Sequence, residues 1–344
     1  MADAPTIEIA GRAVGGRHPC CVIAEVGINH GGDEARCAAM IDAAATAGAD
    51  AVKLQTVTPD ESYHPDTESY RLFRDSMLTE AALERLMRHA RRAGVILFST
   101  PGDFTALALI DRLGMPAIKI SSGLLTNLPL IGAAAATGRP LILSTGMASL
   151  DEVEEAVAAA RANGCAALAV LQCTSLYPAP ATSLNLRAMA TLAASVDAPV
   201  GYSDHHTGAL AAVAAVAAGA RLIEKHFTLD ASTPGADHAI SLEPDAFVAM
   251  VRDIRDVEAM LGSAEKAPLA AEAALRDGRH RRLVAARDLG AGAVLAAGDL
   301  YLMRLPADRA ALPARQLPDV LGRRLARAVS RLSGITADMV EGLA

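Results

Sequence analysis

The feature that most constrains the fold of this chain is a regular alternation of short apolar runs with longer helical patterns. Eight runs rich in β-branched and apolar residues are separated by Ala-, Leu-, Arg- and Glu-rich stretches, for example 80–93, 150–163 and 209–218. This alternation is typical of repeated βα units. The predicted strands occupy residues 21–26, 51–55, 95–99, 117–120, 140–144, 167–173, 199–203 and 221–226.

The number and spacing of these units predict the fold class. Eight βα units over roughly 250 residues match the size of a (β/α)8 barrel. A doubly wound parallel sheet is the alternative, but no G-x-G-x-x-G segment follows any of the predicted strands. We therefore predict an α/β fold in which residues 1–262 form a (β/α)8 TIM barrel.

The pattern changes after Leu261, where the sequence passes through Gly-Ser-Ala-Glu-Lys-Ala-Pro and a basic cluster at 276–282. We interpret residues 263–281 as a linker. Residues 282–344 contain turn signals and short β-like runs, but they are too few for a second catalytic core. They predict a small, β-rich C-terminal domain.

Composition excludes several classes of protein. With 52% hydrophobic residues, a chain of 344 residues can bury a sizeable core. A net charge of −7 and 3% aromatic residues give no reason to expect a nucleic-acid partner. The five cysteines include no C-x-x-C pair, and the N-terminus has neither a basic start nor an apolar h-region. We expect reduced thiols, no membrane partner and a cytoplasmic location.

Lysine is rare in this chain, since 4 of the 32 Lys and Arg residues are lysines. Three of the four, Lys53, Lys119 and Lys225, lie in predicted strands. A buried ammonium group must find an anion, because burying it unpaired costs more than one strand can return. Strand alternation turns Lys225 toward the helical layer, opposite to its two neighbours, so we leave it out of the predicted site.

The C-terminal ends of the predicted strands carry many polar residues, and chemistry in barrels gathers at that end. Two lysines with several hydroxyl groups suit a phosphate and a carboxylate, since hydroxyls donate hydrogen bonds and ammonium groups supply charge. A doubly anionic small substrate is implied. The strand-end residues are Glu25, Lys53, Gln55, Ser99, Thr100, Lys119, Ser122, Ser144, Thr145, Gln172, Thr174, Ser175, Tyr177, Ser203, Asp204, His205, Glu224 and His226.

Two histidines, His205 and His226, close adjacent predicted strands. Two neutral imidazoles beside an acid are a plausible site for a divalent metal with open coordination positions. His30, His206 and His238 are competing candidates, and a single histidine is more often structural or a general base than a ligand.

These motifs, taken in order, resemble those of the sialic acid synthase family, the phosphoenolpyruvate-dependent synthases of nine-carbon sugar acids. The C-terminal segment 282–344 is similar to the family's antifreeze-like (SAF) domain. The resemblance extends nearly from end to end of the chain. The motifs that carry it are Ala-Glu25-Val-Gly-Ile-Asn-His-Gly-Gly, Val-Lys53-Leu-Gln55-Thr, Lys119-Ile-Ser-Ser122-Gly, Leu-Ser144-Thr-Gly-Met, Ser175-Leu-Tyr177-Pro, Tyr-Ser203-Asp-His205, Glu-Lys-His226-Phe and Pro-Gly-Ala-Asp237-His.

The resemblance implies a transferase that joins phosphoenolpyruvate to the open-chain aldehyde of an N-acylated amino sugar. It implies that His205 and His226 bind Mn²⁺ or Mg²⁺, and that these two residues and Glu25, which would position water or carry a proton, are catalytic. It also implies a domain-swapped homodimer in which Arg304 reaches the partner's site. The acceptor sugar would contact Tyr177, Asp237 and Arg304, and phosphoenolpyruvate would be held by Lys53, Gln55, Thr100, Lys119, Ser122, Ser144 and Ser203.

Three residues, Leu124, Ser175 and Leu305, depart from the family pattern. A site built to bond a hydroxyl strongly rejects a substrate that lacks it, whereas an apolar position tolerates a deoxy sugar. The acceptor is therefore either N-acetylmannosamine or a 6-deoxy diacetamido sugar that leads to legionaminate or pseudaminate. Two other function classes remain: a Schiff-base aldolase using Lys119 or Lys225, and a non-catalytic sugar-binding protein.

Overall fold

The protein is described by a computed structural model that covers residues 5–306 and 308–343, without the side chains of residues 274 and 277. A short antiparallel hairpin, β1 (Thr6–Ile9) and β2 (Arg12–Gly15), precedes a closed barrel of eight parallel strands. The barrel strands follow chain order, and the last pairs with the first to close it. They are β3 (Cys21–Gly27), β4 (Ala51–Thr56), β5 (Ile96–Pro101), β6 (Ile118–Ile120), β7 (Leu141–Ser144), β8 (Leu168–Cys173), β9 (Val200–Asp204) and β10 (Leu222–His226).

The predicted (β/α)8 TIM barrel is confirmed, and every predicted strand coincides with one barrel strand. Helices surround the barrel, and several begin at side chains that cap free backbone N–H groups, such as Asp33, Thr79 and Ser149. The helices of this unit are α1 (Glu34–Thr46), α2 (Pro59–Ser62), α3 (Glu68–Asp75), α4 (Glu80–Ala93), α5 (Phe104–Arg112), α6 (Leu128–Ala136), α7 (Leu150–Ala162), α8 (Ala188–Ser195), α9 (Leu210–Ala217) and α10 (Pro244–Leu261).

The hairpin β1–β2 plugs the end of the barrel where the strands begin. Ile7, Ile9 and Val14 are buried against apolar side chains inside the barrel, among them Ile23 and Phe98. A second, larger core fills the space between the strands and the surrounding helices. The hairpin was not predicted from the sequence, because two four-residue strands are too short to give a periodic signal.

The chain divides into two compact units, Met1–Gly262 and Ser263–Ala344. In the second unit, β11 (Arg282–Ala285) pairs antiparallel with β12 (Leu300–Met303) over an apolar core of its own. This unit also contains α11 (Ala270–Arg279), which lies in the segment predicted as a linker, and α12 (Leu317–Val320). None of the helices in the described part of the chain is long and apolar enough to cross a membrane.

Candidate active site

A cavity of about 460 Å³ opens at the C-terminal ends of the barrel strands. Most of the residues predicted to form the site line it, and they come from strands β3, β4, β6, β7, β9 and β10 and from the loops that follow the strands. The predicted residues that line the cavity are Glu25, Lys53, Gln55, Lys119, Ser122, Ser144, Tyr177, Ser203, His205, His226 and Asp237.

The two lysines of the cavity are buried and share one carboxylate, that of Glu224 on β10. Lys53 Nζ lies 3.1 Å from Glu224 Oε2 and 3.4 Å from Glu25 Oε2, while Lys119 Nζ lies 3.6 Å from Glu224 Oε1. Glu224 was in the list of strand-end residues but not in the predicted site. Glu224 is the anion that both buried lysines contact, as their burial requires.

Hydroxyl groups complete this lysine cluster. Lys119 Nζ donates to Ser144 Oγ at 2.7 Å, and Ser203 Oγ donates to Glu224 Oε1 at 2.9 Å. Ser122 Oγ accepts from the backbone N–H of Gly146 at 3.0 Å. A Cβ atom at Gly146 would come within 2.8 Å of Ser122 Oγ, so the glycine allows this close approach.

Burial and mutual attraction set the charges of the cluster. Burial lowers the pKa of Lys119 to about 8, although Glu224 opposes the shift. Burial alone would raise the pKa of Glu224, but Lys119 and Lys53 outweigh it and hold that pKa well below its ordinary value. Burial also acts to lower the pKa of Lys53, yet Glu224 and Glu25 raise it overall. The cluster therefore holds two ammonium groups and one firmly ionised carboxylate at neutral pH.

Glu25 differs from Glu224, although both carboxyl groups face the same lysine. Burial raises the pKa of Glu25 to about 7, and Lys53 offsets only part of the effect. Its Oε1 accepts a hydrogen bond from Gln55 Nε2 at 2.9 Å. Glu25 can therefore exchange a proton near neutral pH, which is the property of a general acid or base.

The imidazoles of His205 and His226 converge on the cavity, with ring centroids 5.3 Å apart. His205 Nδ1 lies 2.8 Å from the carbonyl oxygen of Thr174, which can only accept, so Nδ1 carries the proton and Nε2 has a lone pair. Burial lowers the pKa of His226 well below its ordinary value, so this ring is neutral. Its Nδ1 lies 3.5 Å from Asp237 Oδ2.

This pair of rings fits a divalent metal, because Nε2 of His205 takes no part in the bond to Thr174 and Nδ1 of His226 is buried without a hydrogen-bond partner among the described residues. Burial acts to lower the pKa of His205, but its contacts with Cys173 and the Thr174 carbonyl raise it overall, so a metal would compete with a proton for this ring. Within residues 5–306 and 308–343, no group of three or more His, Cys, Asp or Glu side chains is arranged to hold a metal. The protein would therefore supply two imidazoles and leave the other coordination positions to water or substrate.

The wall of the cavity next to the histidines carries Tyr177 and Asp237. The ring of Tyr177 stacks on His205 with centroids 4.1 Å apart, and the side chain is half exposed. Asn29 holds the Asp237 loop: its Oδ1 accepts from the Asp237 N–H at 3.1 Å, and its Nδ2 donates to the Phe227 carbonyl at 3.0 Å. Asn29 was not predicted, although it lies in a recognised motif, because its role depends on a contact with residues two hundred positions away.

A segment between β4 and α4 forms the rim of the cavity. Tyr63 and Phe73 stack at 5.1 Å, and both line the cavity with Ser69 and Leu72. Asp103, the N-cap of α5, anchors this segment by accepting from the Thr58 N–H and from the Ser62 hydroxyl at 2.8 Å. This rim was not predicted from the sequence, because its helices α2 and α3 have only four and eight residues and give a weak periodic signal.

Two predicted site residues do not line the cavity. Thr100 on β5 is buried, and its Oγ1 has no hydrogen-bond partner among the described residues. Arg304 belongs to the second unit, where it is exposed and donates from Nε to the Arg279 carbonyl at 3.2 Å. Of the residues that depart from the family pattern, Ser175 lines the cavity, whereas Leu124 packs against the outer core and Leu305 is buried in the second unit.

Comparison with known proteins agrees with this geometry. A sequence profile of the NeuB family matches residues 40–266, and one of the SAF domain matches residues 280–341. The N,N'-diacetyllegionaminic acid synthase of Legionella pneumophila is 37% identical over 329 residues, which cover 90% of this chain and 92% of that protein. The N-acetylneuraminate-9-phosphate synthase of Homo sapiens is 35% identical over 302 residues, which cover 83% of each chain.

Among solved structures, the N-acetylneuraminic acid synthetase of Leptospira borgpetersenii, in complex with citrate, superimposes with a TM-score of 0.76 at 33% identity. The match covers 80% of this chain and 98% of that chain. The resemblance seen in the sequence motifs is confirmed. The chain therefore belongs to the NeuB family, and it is an enzyme of the sialic acid synthase type with a C-terminal SAF domain.

Proposed function

We propose that this protein condenses phosphoenolpyruvate with the open-chain aldehyde of an N-acylated amino sugar and water to give a nine-carbon sugar acid and phosphate. The observation that carries the proposal is the division of the cavity into two walls. One wall holds two buried lysines among serine hydroxyls, and the other holds two imidazoles beside Tyr177 and Asp237.

The lysine wall suits phosphoenolpyruvate. Its phosphate and carboxylate would replace Glu224 as partners of Lys53 and Lys119, and the hydroxyls of Ser122, Ser144 and Ser203 would donate hydrogen bonds. Gln55 already faces Glu25 and would border the same ligand. Thr100 is also proposed to contribute to phosphoenolpyruvate binding. It is buried and lies opposite Gln55 in the strand register, so it would act indirectly, by supporting Gln55.

The imidazole wall suits the acceptor. A divalent cation, Mn²⁺ or Mg²⁺, would be held by His205 and His226 and would act as a Lewis acid toward the aldehyde oxygen. Tyr177 and Asp237 would orient the sugar hydroxyl and amide groups. Apolar side chains of Leu72, Phe73 and Met147 line the same cavity and would contact methyl groups of the acyl or 6-deoxy substituents.

The reaction forms one carbon–carbon bond and breaks one carbon–oxygen bond. C3 of phosphoenolpyruvate attacks the aldehyde carbon, whose oxygen takes a proton and becomes a hydroxyl, and positive charge develops at C2. Water adds to C2 and gives up a proton to Glu25, which can accept it because its pKa lies near neutrality. The tetrahedral centre then gives its hydroxyl proton to the departing phosphate as the bond from C2 to the phosphate oxygen breaks, which releases inorganic phosphate and the keto acid. Glu25 returns its proton to solvent, which balances the proton that the aldehyde oxygen took up.

The second unit is proposed to complete the site of a partner subunit. In a domain-swapped homodimer, Arg304 of one chain would contact the acceptor in the other, and its exposed position in the second unit supports this role. A cytoplasmic location follows from the substrates, since phosphoenolpyruvate is a metabolite of the cell interior.

The test is phosphate release from phosphoenolpyruvate with N-acetylmannosamine and with 6-deoxy diacetamido sugars in turn, each with Mn²⁺ and with EDTA. We expect release that depends on Mn²⁺ and on one class of acceptor, and this also decides between neuraminate and the legionaminate or pseudaminate products. No release with any acceptor would contradict the proposal.

A Schiff-base aldolase is the second candidate, and one observation favours it. Burial lowers the pKa of Lys119 to about 8, which makes this amine more nucleophilic than an ordinary lysine. Pyruvate followed by borohydride would then attach covalently to Lys119 in the presence of EDTA. We expect no such adduct, because Lys119 already bonds Ser144 and faces a carboxylate.

A further inference from the structure

A buried ion pair lies on the side of the barrel strands that faces away from the cavity. Lys225 on β10 and Asp204 on β9 are both fully buried, and Lys225 Nζ lies 2.9 Å from Asp204 Oδ2. The two residues are directly opposite each other in the strand register. Neither of them lines the cavity, so substrate cannot touch them. We call Lys225 and Asp204 the outer ion pair.

The outer ion pair forms hydrogen bonds with the backbone immediately after β9. Lys225 Nζ also donates to the carbonyl oxygen of His206, and Asp204 Oδ1 accepts from the N–H of His206 at 2.8 Å. Both backbone polar groups of His206 are therefore bonded to the pair. The N–H belongs to the planar peptide unit between residues 205 and 206, and the carbonyl to the unit between residues 206 and 207, so the pair restrains the backbone on both sides of His206.

The fixed backbone carries His205. From there the bonding continues to the loop after β8: Ala179 donates from its N–H to the His205 carbonyl at 3.0 Å, and the ring of His206 bonds the Ala179 carbonyl at 2.8 Å. The same loop contains Thr174, which accepts from the His205 ring, and Tyr177, which stacks on it. The imidazole is thus held from its backbone, from one ring nitrogen and from one face.

Stability alone gives no reason for such a pair. Burying two charges costs several kcal/mol for each ion, and apolar residues of similar volume in the same place are often as stabilising or more so. Charged groups at this position do what apolar ones cannot, because they form directional bonds to the peptide of His206. Hydrogen bonds behind a ligating histidine fix its orientation and tune its affinity for metal.

We propose that Lys225 and Asp204 are positioning residues, which hold the loop after β9 so that the imidazole of His205 faces the cavity next to Tyr177 and His226. The inference rests on the proposed function in one respect, which is the role of His205 as a metal ligand. The placement of the ring itself is a property of the free protein.

The experiment compares the double variant D204N/K225M with wild-type protein. The double substitution removes both charges together, whereas K225M alone would leave a buried carboxylate unpaired, which strongly destabilises a fold. K266M, the same substitution at an exposed lysine of the second unit, is the control. Three quantities are measured: the crystallographic position of His205 in the free protein, the affinity for Mn²⁺ by calorimetry without substrates, and kcat with KM for phosphoenolpyruvate.

We expect the double variant to fold, with the His205 ring rotated or shifted, Mn²⁺ affinity reduced about 10-fold or more and kcat reduced by a similar factor. KM for phosphoenolpyruvate should stay within about twofold, because Lys53 and Lys119 lie on other strands. An unmoved ring, or wild-type kcat and Mn²⁺ affinity, would overturn the proposal. If wild-type protein neither binds Mn²⁺ nor releases phosphate, the proposed function fails, and the position of the ring in the variant alone decides this inference.

Discussion

The two ends of the barrel interior are built from the same strands and differ in almost every physical respect. On β3, Ile23 lies in the apolar layer at the plugged end, and Glu25, two residues later on the same face, lines the cavity. Ala117, the residue before β6, and Lys119 on β6 show the same change. In both cases a residue of the apolar layer, which stabilises the fold, is followed two positions later by a charged residue of the cavity.

The two layers make opposite contributions to the free energy of folding. The apolar layer gains free energy from burial in proportion to its area. The charged layer removes ammonium and carboxylate groups from water, which opposes folding. This cost is offset by the pairing of the two lysines with the two glutamates and by their hydrogen bonds to neighbouring polar side chains. Substitutions at the two ends should accordingly separate activity from stability.

The largest effect is expected at Lys119. K119M should lower kcat/KM for phosphoenolpyruvate by about 10²–10³-fold, because the ligand loses a buried charged donor. The midpoint of thermal unfolding should change little, since the substitution also removes the cost of burying an ammonium group. Steady-state kinetics and calorimetry test this, with K266M as the control. A loss of stability without a loss of activity would contradict the division into two layers.

At the apolar end, I23A should lower the free energy of unfolding by about 2–5 kcal/mol, because it leaves a cavity beneath the site. KM for phosphoenolpyruvate should remain at the wild-type value in the folded protein. Chemical denaturation and kinetics at low temperature measure the two quantities. A change in KM larger than threefold would show that the layers are coupled.

E25Q is the matched variant two residues further along the same strand. It should lower kcat by about 10²-fold, since the amide cannot accept the proton of water, while phosphoenolpyruvate still binds to the two lysines. Comparison of kcat with the calorimetric affinity for phosphoenolpyruvate distinguishes the two effects. Activity within fivefold of wild type would remove Glu25 from the catalytic residues.

The pH dependence should report the charge of Lys119. Its pKa is lowered to about 8, so the ammonium group is present at pH 7 and is lost as the pH rises through 8. Since kcat/KM follows the free enzyme, and Glu25 with its pKa of about 7 becomes more fully ionised over the same range, kcat/KM should fall about fivefold between pH 7 and pH 9. A profile measured from pH 6.5 to 9.5 tests this. An unchanged kcat/KM up to pH 10 would mean that Lys119 keeps its proton throughout.

The smallest expected change concerns the second unit, a third region besides the two ends of the barrel, and it is measured as activity recovered when two variants are mixed. R304A and E25Q should each be poorly active alone, and mixing them after unfolding and refolding together should restore about a quarter of the wild-type activity through mixed dimers. That recovery requires Arg304 to act in the partner's cavity. If the mixture is no more active than its components, or if the wild-type protein is a monomer in solution, this role for Arg304 is wrong.

Much of the barrel could be predicted because its signal is local. Strand positions followed from runs of β-branched residues. Each predicted strand begins and ends within one residue of the observed strand, except that β5 extends two residues further, to Pro101. The site residues could be placed at one end of the barrel because all parallel strands of a barrel point the same way. The hairpin β1–β2 and the rim around Phe73 escaped prediction, because strands of four residues and a helix of eight are too short for their periods to stand out in the sequence.

The sequence by itself determined the βα repeat, the polar character of the strand ends and the requirement that buried lysines meet anions. Which anions they meet was decided only by the tertiary structure. Glu224 on β10 meets Lys53 of β4 and Lys119 of β6 across the interior of the barrel, and Asp204 pairs with Lys225 because β9 and β10 are neighbouring strands. Such distances exist only in the closed barrel, where strands far apart in the chain share one interior, and no local pattern of residues encodes them.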